Sequence, residues 1–441
     1  MESRDFMENM ENTFDIENKI AENSEAEKNI RKTRNHTFVT GFAVGVILTF
    51  VIILSTMFGL KLYRNYRISR AIDSAAGSST VSEDEELVNE KLIKKLGVLE
   101  TIIDRNFFGE YTREELEDGI YKGLVGALND KYADYYSVEE MQEQSEDTAG
   151  KYGGIGAYIS FDEEKNCCVI AGTIPNTPAE EADLRDGDLI VMVDEVDTIG
   201  MTSTEIVKLI KGEEGTSVHL TLIRDGEDDY IEVDLERAIV DSPSVTYEMM
   251  EDEIGYIGIS EFNGTTADHF TEAMAALKAE NAKGIIIDVR SNLGGNLDAV
   301  CAICREILPE GLIVYTQDKY GNKQEFECDG SNELTLPLVV LTNGYSASAS
   351  EILTGAVKDY GIGTVMGTKT YGKGIVQTII PLTDGSAIKL TTSKYFTPKG
   401  TCIHGVGIEP DIEVEFDSER YYEDGYDNQL EAALEELKNQ L

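Results

Sequence analysis

The sequence predicts a multi-domain α/β protein with one membrane-spanning helix near its N terminus. From residue 239 onward strand and helix patterns alternate, and the run 284–289 is apolar throughout, as in a sheet covered on both faces. Residues 87–149 carry apolar residues three and four apart, which is typical of amphipathic helices. A chain of 441 residues is long enough for two or three such domains.

Residues 37–60 contain no charged residue and are rich in Phe, Val, Ile and Leu. A helix of this length reaches roughly 36 Å, which spans a bilayer with some tilt. A buried core helix and a cleaved signal peptide are the alternatives. The run is too long for either, and the small residues around Ala75 lie well beyond it. We therefore interpret it as an uncleaved signal anchor. Basic residues flank both of its ends equally, so charge alone does not orient it.

The composition excludes several classes of partner. The formal net charge of -45 repels nucleic acid and anionic membrane surfaces. Six cysteines in a chain of this length do not predict a disulfide framework, and Cys301 and Cys304 are spaced for one buried face of a helix. The four histidines are scattered and form no HExxH pattern, so we expect neither a metal nor a cofactor.

The most informative stretch is 336–378. An apolar run at 336–341 predicts a buried strand, which Asn343 and Gly344 end. Ser346, Ser348 and Ser350 follow, each separated by one alanine, and helical spacing resumes after them. The serines are thus predicted on a strand-to-helix turn, where a nucleophile is exposed and helix N-terminal N–H groups face developing negative charge.

A glycine turn and a strand follow at 371–377, and they contain Lys373 and Gln377. Their even spacing predicts that both side chains lie on one face of the strand. A lysine acts as a general base only when its amine is neutral, and at the ordinary pKa of ~10.4 about one in 2,500 is neutral at pH 7. Burial lowers that pKa, and an amide such as that of Gln377 can hold the amine.

Each signal alone is weak, because alternating Ser and Ala usually form a packed turn and a lysine between glycines is usually solvated. The stretch 367–374 also fits most of a nucleotide-binding P-loop. However, Gly374 stands where Ser or Thr should hold magnesium, and a strand follows instead of a helix. We therefore reject nucleotide binding.

Together, SASASE at 346–351 and GKGIVQ at 372–377 resemble the motifs of the C-terminal processing peptidases, or tail-specific proteases. The resemblance implies a crotonase/ClpP-like α/β peptidase core. It also implies that Ser348 is the nucleophile, Lys373 the general base and Gln377 the residue that positions the lysine.

The same resemblance implies two backbone donors for the oxyanion. One is the N–H of Ala349. The other comes from the turn after the strand at 284–289, where Gly294 is expected and Gly295 is the less favoured alternative. Family members commonly carry proline at the position of Leu293, so this chain departs from the pattern beside that glycine.

Residues 150–238 resemble a PDZ domain inserted ahead of the peptidase core. Such a domain binds a chain terminus by strand addition, and its glycine loop receives the terminal carboxylate. The loop here is Gly154, Ile155, Gly156 and Ala157, and Ile206 and Ile210 on the following helix are the expected groove residues.

The predicted organisation is as follows: a cytoplasmic polar tail at 1–36, the anchor at 37–60, a linker at 61–86, a helical region at 87–149, the PDZ domain at 150–238, the peptidase core at 239–420 and a C-terminal helix at 421–441. We expect a single-pass membrane protein whose catalytic region lies outside the cytoplasm. It would cleave protein substrates recognised through their C termini, and the family implies a possible homodimer.

Two alternatives remain open at this stage. One is a Ser–His hydrolase that uses His404 or His269. The other is a PDZ adaptor built on an inactive peptidase scaffold at the membrane.

Overall fold

The computed structural model describes residues 87–441. The chain divides at residue 110 into two units. In the first, the described part forms helix α1 (Glu90–Asn106), none of whose side chains is buried. No helix within residues 87–441 is long and apolar enough to cross a membrane, and the predicted anchor at 37–60 lies outside that range.

The second unit, from residue 111, holds the remaining described elements. Its helices are α2 (Arg113–Gly126), α3 (Val138–Ala149), α4 (Pro178–Glu181), α5 (Ser203–Ile210), α6 (Thr266–Ala279), α7 (Leu297–Arg305), α8 (Ala349–Tyr360), α9 (Ser418–Asp424) and α10 (Asn428–Gln440). Its strands are β1 (Asp134–Tyr136), β2 (Lys151–Gly154), β3 (Ala157–Asp162), β4 (Cys167–Thr173), β5 (Leu189–Val193), β6 (Val196–Asp197), β7 (Ser217–Ile223), β8 (Ile231–Glu236), β9 (Ala238–Asp241), β10 (Val245–Met249), β11 (Ile254–Ile259), β12 (Gly284–Asp288), β13 (Gly311–Asp318), β14 (Lys323–Cys328), β15 (Leu338–Thr342), β16 (Thr364–Gly367), β17 (Ile375–Pro381), β18 (Ala387–Phe396) and β19 (Ile412–Glu413).

A six-stranded sheet of order β10-β11-β12-β15-β16-β19 forms the centre of the predicted peptidase core. All its neighbouring strands are parallel except β10, which is antiparallel to β11. Helices α6, α7 and α8 cover one face, and α10 covers the other through Ala433, Leu434 and Leu437. All five residues of β12 are buried, which confirms the prediction of a strand covered on both faces.

A second sheet of the core has the order β1-β18-β13-β14, with β17 also paired to β18. Strand β1 lies in the region predicted to be helical, yet it pairs with β18 through Asp134 and Lys389. The segment that precedes the PDZ-like domain therefore belongs to the core sheet. The region at 87–149, predicted as helical, therefore contains three helices and this one short strand.

The PDZ-like domain lies between β2 and β9, which pair with each other. Its sheet has the order β3-β4-β5-β7-β8, so β3 is an edge strand with one unpaired side. Helix α5 begins with a capping box in which Thr202 and Glu205 satisfy each other's backbone N–H groups. The edge strand and α5 are the two elements that bound a groove in a PDZ domain.

Candidate active site

The turn that carries the candidate nucleophile follows β15 directly. Ser348 lies immediately before the first residue of α8 with φ 57° and ψ −111°, a conformation that side chains rarely adopt. Its backbone N–H donates to Glu351 Oε2 at 2.9 Å. A strained, positive-φ serine at a strand-to-helix turn is the geometry of a nucleophile elbow.

The three serines of the motif have different surroundings. Ser346 Oγ donates to the carbonyl of Val289 at 2.8 Å, and Ser350 Oγ donates to that of Asn292 at 2.9 Å. Among residues 87–441, Ser348 Oγ has no such backbone acceptor, and the buried Tyr395 lines the same cavity. Of the three hydroxyls, only that of Ser348 is available to attack a substrate.

Ser348, Lys373 and Gln377 line one cavity of about 420 Å³. Helix α3 contributes polar side chains to its wall, and the core contributes apolar ones. Residues that line this wall include Gln144, Asp147, Thr148, Phe262, Leu297, Val376, Ile379, Lys389 and Tyr395. The structure thus brings together the three catalytic residues predicted from two separate motifs.

Lys373 is half-buried, and its Nζ lies 4.6 Å from the centre of the Tyr132 ring. Burial lowers the pKa of Lys373, and the positive charges of Lys389 and Lys131 lower it further. Tyr371 and Glu351 act in the opposite direction on that pKa. The net lowering is the change that a lysine needs before it can act as a general base.

Gln377 does not hold Lys373 in this structure. Its Nε2 donates to the carbonyl of Ile375 at 3.4 Å, a long hydrogen bond. Lys373 precedes β17, and a register shift separates Val376 from Gln377. Lys373 and Gln377 therefore do not share one face of a regular strand, as predicted, although both side chains line the same cavity.

Glu351 is a residue of the site that the sequence analysis missed. Its side chain is fully buried, and its carboxylate accepts hydrogen bonds from both the nucleophile turn and the loop that carries Lys373. The sequence signal was present, because a carboxylate in the first turn of a helix is a capping residue. Tyr132 and Lys389 were missed as well. Tyr132 precedes β1 and contacts Lys373 through its ring, and Lys389 lines the cavity from β18, so the pairing of β1 with β18 brings both to the site.

The two predicted oxyanion donors, Ala349 and Gly294, have different surroundings. Ala349 is the first residue of α8, so its N–H has no partner within the helix. Gly294 packs against the nucleophile turn, and a Cβ there would lie 2.7 Å from that of Ser348. However, the Gly294 N–H donates to Asn292 Oδ1 at 2.8 Å. The Gly294 N–H, which was predicted to bind the oxyanion, therefore already has an acceptor in Asn292.

Gly295 provides the available N–H in this turn. The two neighbours of Gly295 form hydrogen bonds with Phe262. The Phe262 N–H donates to Gly294 O at 3.0 Å, and the Asn296 N–H donates to Phe262 O at 2.6 Å. Within the described chain the Gly295 N–H has no acceptor, and Gly295 lines the cavity beside Ser348. Gly295, the less favoured alternative, is therefore the glycine of this turn whose N–H has no acceptor among the described residues.

The predicted carboxylate loop of the PDZ-like domain joins β2 to β3. Gly156 has φ +79°, and in the described residues the N–H groups of Ile155 and Gly156 have no acceptor. Gly154 ends β2 and Ala157 begins β3. Ile206 and Ile210 are at most 4% exposed and belong to the domain's core, so their assignment to the groove wall was wrong.

No histidine of residues 87–441 lines the cavity that holds Ser348. His269 lies on α6 and His404 on the loop behind Gly374. Within residues 87–441 no group of His, Cys, Asp and Glu side chains could hold a metal ion. This arrangement disfavours the Ser–His alternative.

Comparisons with known proteins agree with the motifs. The peptidase family S41 model matches residues 253–414, and a PDZ domain model matches residues 169–224. A carboxy-terminal-processing protease of Bartonella bacilliformis is 36% identical over 71% of this chain and 73% of that protein. The carboxy-terminal processing protease CtpA of Bacillus subtilis is 32% identical over 81% of this chain and 77% of its own length.

Among solved structures, the photosystem II D1 C-terminal processing protease is 29% identical over 73% of this chain and 86% of its own, with a TM-score of 0.43. The assignment therefore depends on the sequence relatives. An α/β core with a strained serine at a strand-to-helix turn and an attached PDZ domain defines a serine peptidase. The chain belongs to the carboxy-terminal processing proteases of peptidase family S41.

Proposed function

We propose that this chain cleaves polypeptides at or near their C-terminal region by a Ser348–Lys373 dyad. Ser348 Oγ attacks the peptide carbonyl while the neutral amine of Lys373 takes the hydroxyl proton. Lys373 then gives that proton to the leaving amine, and water releases the acyl group from Ser348. The proposal is supported by one cavity that both Ser348 and Lys373 line. Ser348 is the serine of the motif whose hydroxyl has no backbone acceptor among the described residues, and the pKa of Lys373 is lowered.

Backbone donors would stabilise the oxyanion of the tetrahedral intermediate. We assign them to Ala349 and Gly295, whose N–H groups have no acceptor among the described residues. Loss of one such donor typically costs ~3 kcal/mol of transition-state stabilisation. Gln377 would hold the Lys373 amine after its amide leaves the carbonyl of Ile375, and the 3.4 Å length of that bond favours the exchange.

The PDZ domain would bind the C terminus of the substrate. Strand β3 offers an unpaired edge, and the loop of Ile155 and Gly156 offers two N–H groups for the terminal carboxylate. Removal of residues 152–238 should change the rate or the selectivity of cleavage; an unchanged cleavage profile would refute this part of the proposal.

We further propose that residues 37–60 anchor the protein in the cell membrane with the catalytic region outside the cytoplasm. The uncharged length of that segment supports an anchor. Membrane fractionation and protease protection of intact cells would test both the anchor and its orientation. Release of the full-length chain by high salt alone would contradict it.

The decisive experiment is a cleavage assay on unfolded proteins that differ in their C-terminal residues. Wild type is compared with Ser348→Ala and Lys373→Ala, each with a serine-directed acylating probe. Ser346→Ala is the matched control, because its hydroxyl is committed to Val289 O. We expect loss of cleavage in the first two variants and retained cleavage in the control.

Two results would overturn the dyad. If Lys373→Ala kept wild-type activity, the base would lie elsewhere. If the wild-type chain neither cleaved any polypeptide nor reacted with the probe, the adaptor alternative would stand.

A further inference from the structure

Glu351 has the most unusual surroundings of any carboxylate at the site. Its side chain is fully buried, and among residues 87–441 its carboxylate is held by hydrogen bonds and not by an ion pair. An uncompensated buried charge is costly, so such a group needs several strong hydrogen bonds. The carboxylate accepts four, from Ser348 N, Lys373 N, Gly372 N and Thr370 Oγ1.

These four bonds join two segments that the chain order separates. Ser348 lies between β15 and α8, whereas Thr370, Gly372 and Lys373 lie between β16 and β17. One atom, Glu351 Oε2, accepts from Ser348 N at 2.9 Å and from Lys373 N at 2.8 Å. The backbones of the proposed nucleophile and the proposed base are therefore fixed to the same oxygen.

The other oxygen is satisfied in the same way. Oε1 accepts from Thr370 Oγ1 and from Gly372 N, both at 2.7 Å. Two donors on each oxygen fill the acceptor positions of a carboxylate. The Glu351 carboxylate therefore brings a buried negative charge close to Lys373.

That charge matters when the reaction moves a proton. In the proposed mechanism, Lys373 begins as a neutral amine and becomes an ammonium as Ser348 attacks. A negative charge in a buried setting stabilises the ammonium more strongly than it would in water. Glu351 is one of the groups that raise the pKa of Lys373, against the larger effect of burial.

We propose that Glu351 is a positioning residue of this site, which fixes the backbone of Ser348 relative to that of Lys373 and stabilises the Lys373 ammonium formed during the reaction. The inference rests on the proposed dyad. A substitution that keeps the shape but removes the charge should act on both functions, whereas loss of one donor should act on geometry alone.

Other charged and titratable groups also face Lys373 and enter its pH dependence. They are Lys131 and Tyr132 ahead of β1, Asp147 on α3, Glu261 after β11, Tyr371 in its own loop, and Lys389 and Tyr395 on β18. None of these changes in a Glu351 variant. Removal of the Glu351 charge makes the ammonium less stable, so the pKa of Lys373 falls. The acid limb of kcat/KM should then move to lower pH.

The test compares Glu351→Gln with Thr370→Val in the full-length chain, with kcat, KM and the pH profile measured on one unfolded substrate. In Glu351→Gln the amide NH₂ faces backbone N–H donors, so we expect kcat to fall at least about 100-fold through misplacement, with little change in KM. The acid limb should move to lower pH. Thr370→Val keeps the charge and should lose about tenfold in kcat with the limb in place.

Asp188→Asn is the matched control for loss of a buried carboxylate. Asp188 is 1% exposed and is bonded by Arg224 in the PDZ domain, away from the dyad. Asp188→Asn should lower the melting temperature, but the acid limb of its kcat/KM profile should stay at the wild-type pH. Circular dichroism of each variant shows whether it is folded, and Thr370→Val keeps the inference testable if Glu351→Gln does not fold.

The inference would be overturned if folded Glu351→Gln had the kcat of the wild type and the acid limb of its kcat/KM profile lay at the same pH. A uniform loss of activity with an unmoved limb would overturn the electrostatic role. Lys373→Ala and Ser348→Ala are measured in the same series. If Lys373→Ala is active, the dyad itself fails; if it is inactive while Glu351→Gln behaves as wild type, only this inference fails.

Discussion

Ser348 and Lys373 are both held in unfavourable states, but the physical origin differs. Ser348 sits on a rigid turn between a fully buried strand and a buried helix, and its cost is backbone strain at φ 57°. Lys373 has no positive φ and lies on a half-buried loop, and its cost is the removal of an ammonium from water. The comparison shows that two different effects, backbone strain and the burial of a charged group, can both reduce the stability of the fold at one site.

The largest expected effect on activity comes from loss of the Ser348 hydroxyl. Ser348→Gly should abolish cleavage, a loss of at least about 10⁴-fold. Glycine tolerates this φ, so the variant should be more stable than Ser348→Ala by about 1 kcal/mol, or roughly 2 to 4 °C in melting temperature. Calorimetry of the two inactive variants tests this. Equal melting temperatures would show that the turn is unstrained.

Next is Lys373→Met, which should lower kcat by about 10³-fold, the contribution of a general base. It should also raise the melting temperature near neutral pH by about 1 to 3 °C, since no ammonium is buried. The folded pKa of Lys373 is lower than its unfolded value, so its penalty is complete below the folded pKa and fades as pH rises towards the ordinary lysine value.

Thermal unfolding from pH 7 to pH 10 measures that prediction. The gain in stability of Lys373→Met over wild type should shrink as the pH rises. A gain that grows with pH would mean that the pKa of Lys373 is raised and that the site stabilises its charged form.

A smaller effect is expected from Lys389→Met. Lys389 lines the cavity, and its positive charge lowers the pKa of Lys373. Its removal should raise that pKa, move the acid limb of kcat/KM to higher pH and reduce activity at pH 7 by about threefold to tenfold. Lys394→Met is the matched control, because Lys394 is exposed on the same strand and does not line the cavity. Identical profiles of the two variants would exclude Lys389 from the electrostatics of the base.

The sequence predicted those elements whose cause is local. The apolar run at 284–289 predicted β12 (Gly284–Asp288), and the apolar run at 336–341 predicted β15 (Leu338–Thr342) to within two residues. The burial of Cys301 and Cys304 on α7 followed from their spacing. In each case the signal lies within one element.

The errors arose where a partner strand, a bulge, a hydrogen bond or a packing contact determines the outcome and the residue pattern does not. Strand β1 is three residues long, and its partner lies more than 250 residues away. The bulge before Gln377 and the side-chain acceptor of Gly294 N–H depend on local hydrogen bonds that residue spacing does not encode. Ile206 and Ile210 have the right residue type for a groove, but α5 turns them into the core.

The ladder between β2 and β9 has a consequence for how this protein could be altered. Gly153 and Ile239 are direct partners, so the chain leaves the peptidase core and returns to it at neighbouring points. A binding module can therefore be exchanged at this pair without a change in the distance between the two ends of the core. Grafts of other peptide-recognition domains there would yield proteases that share one catalytic centre and differ in the chain ends they select.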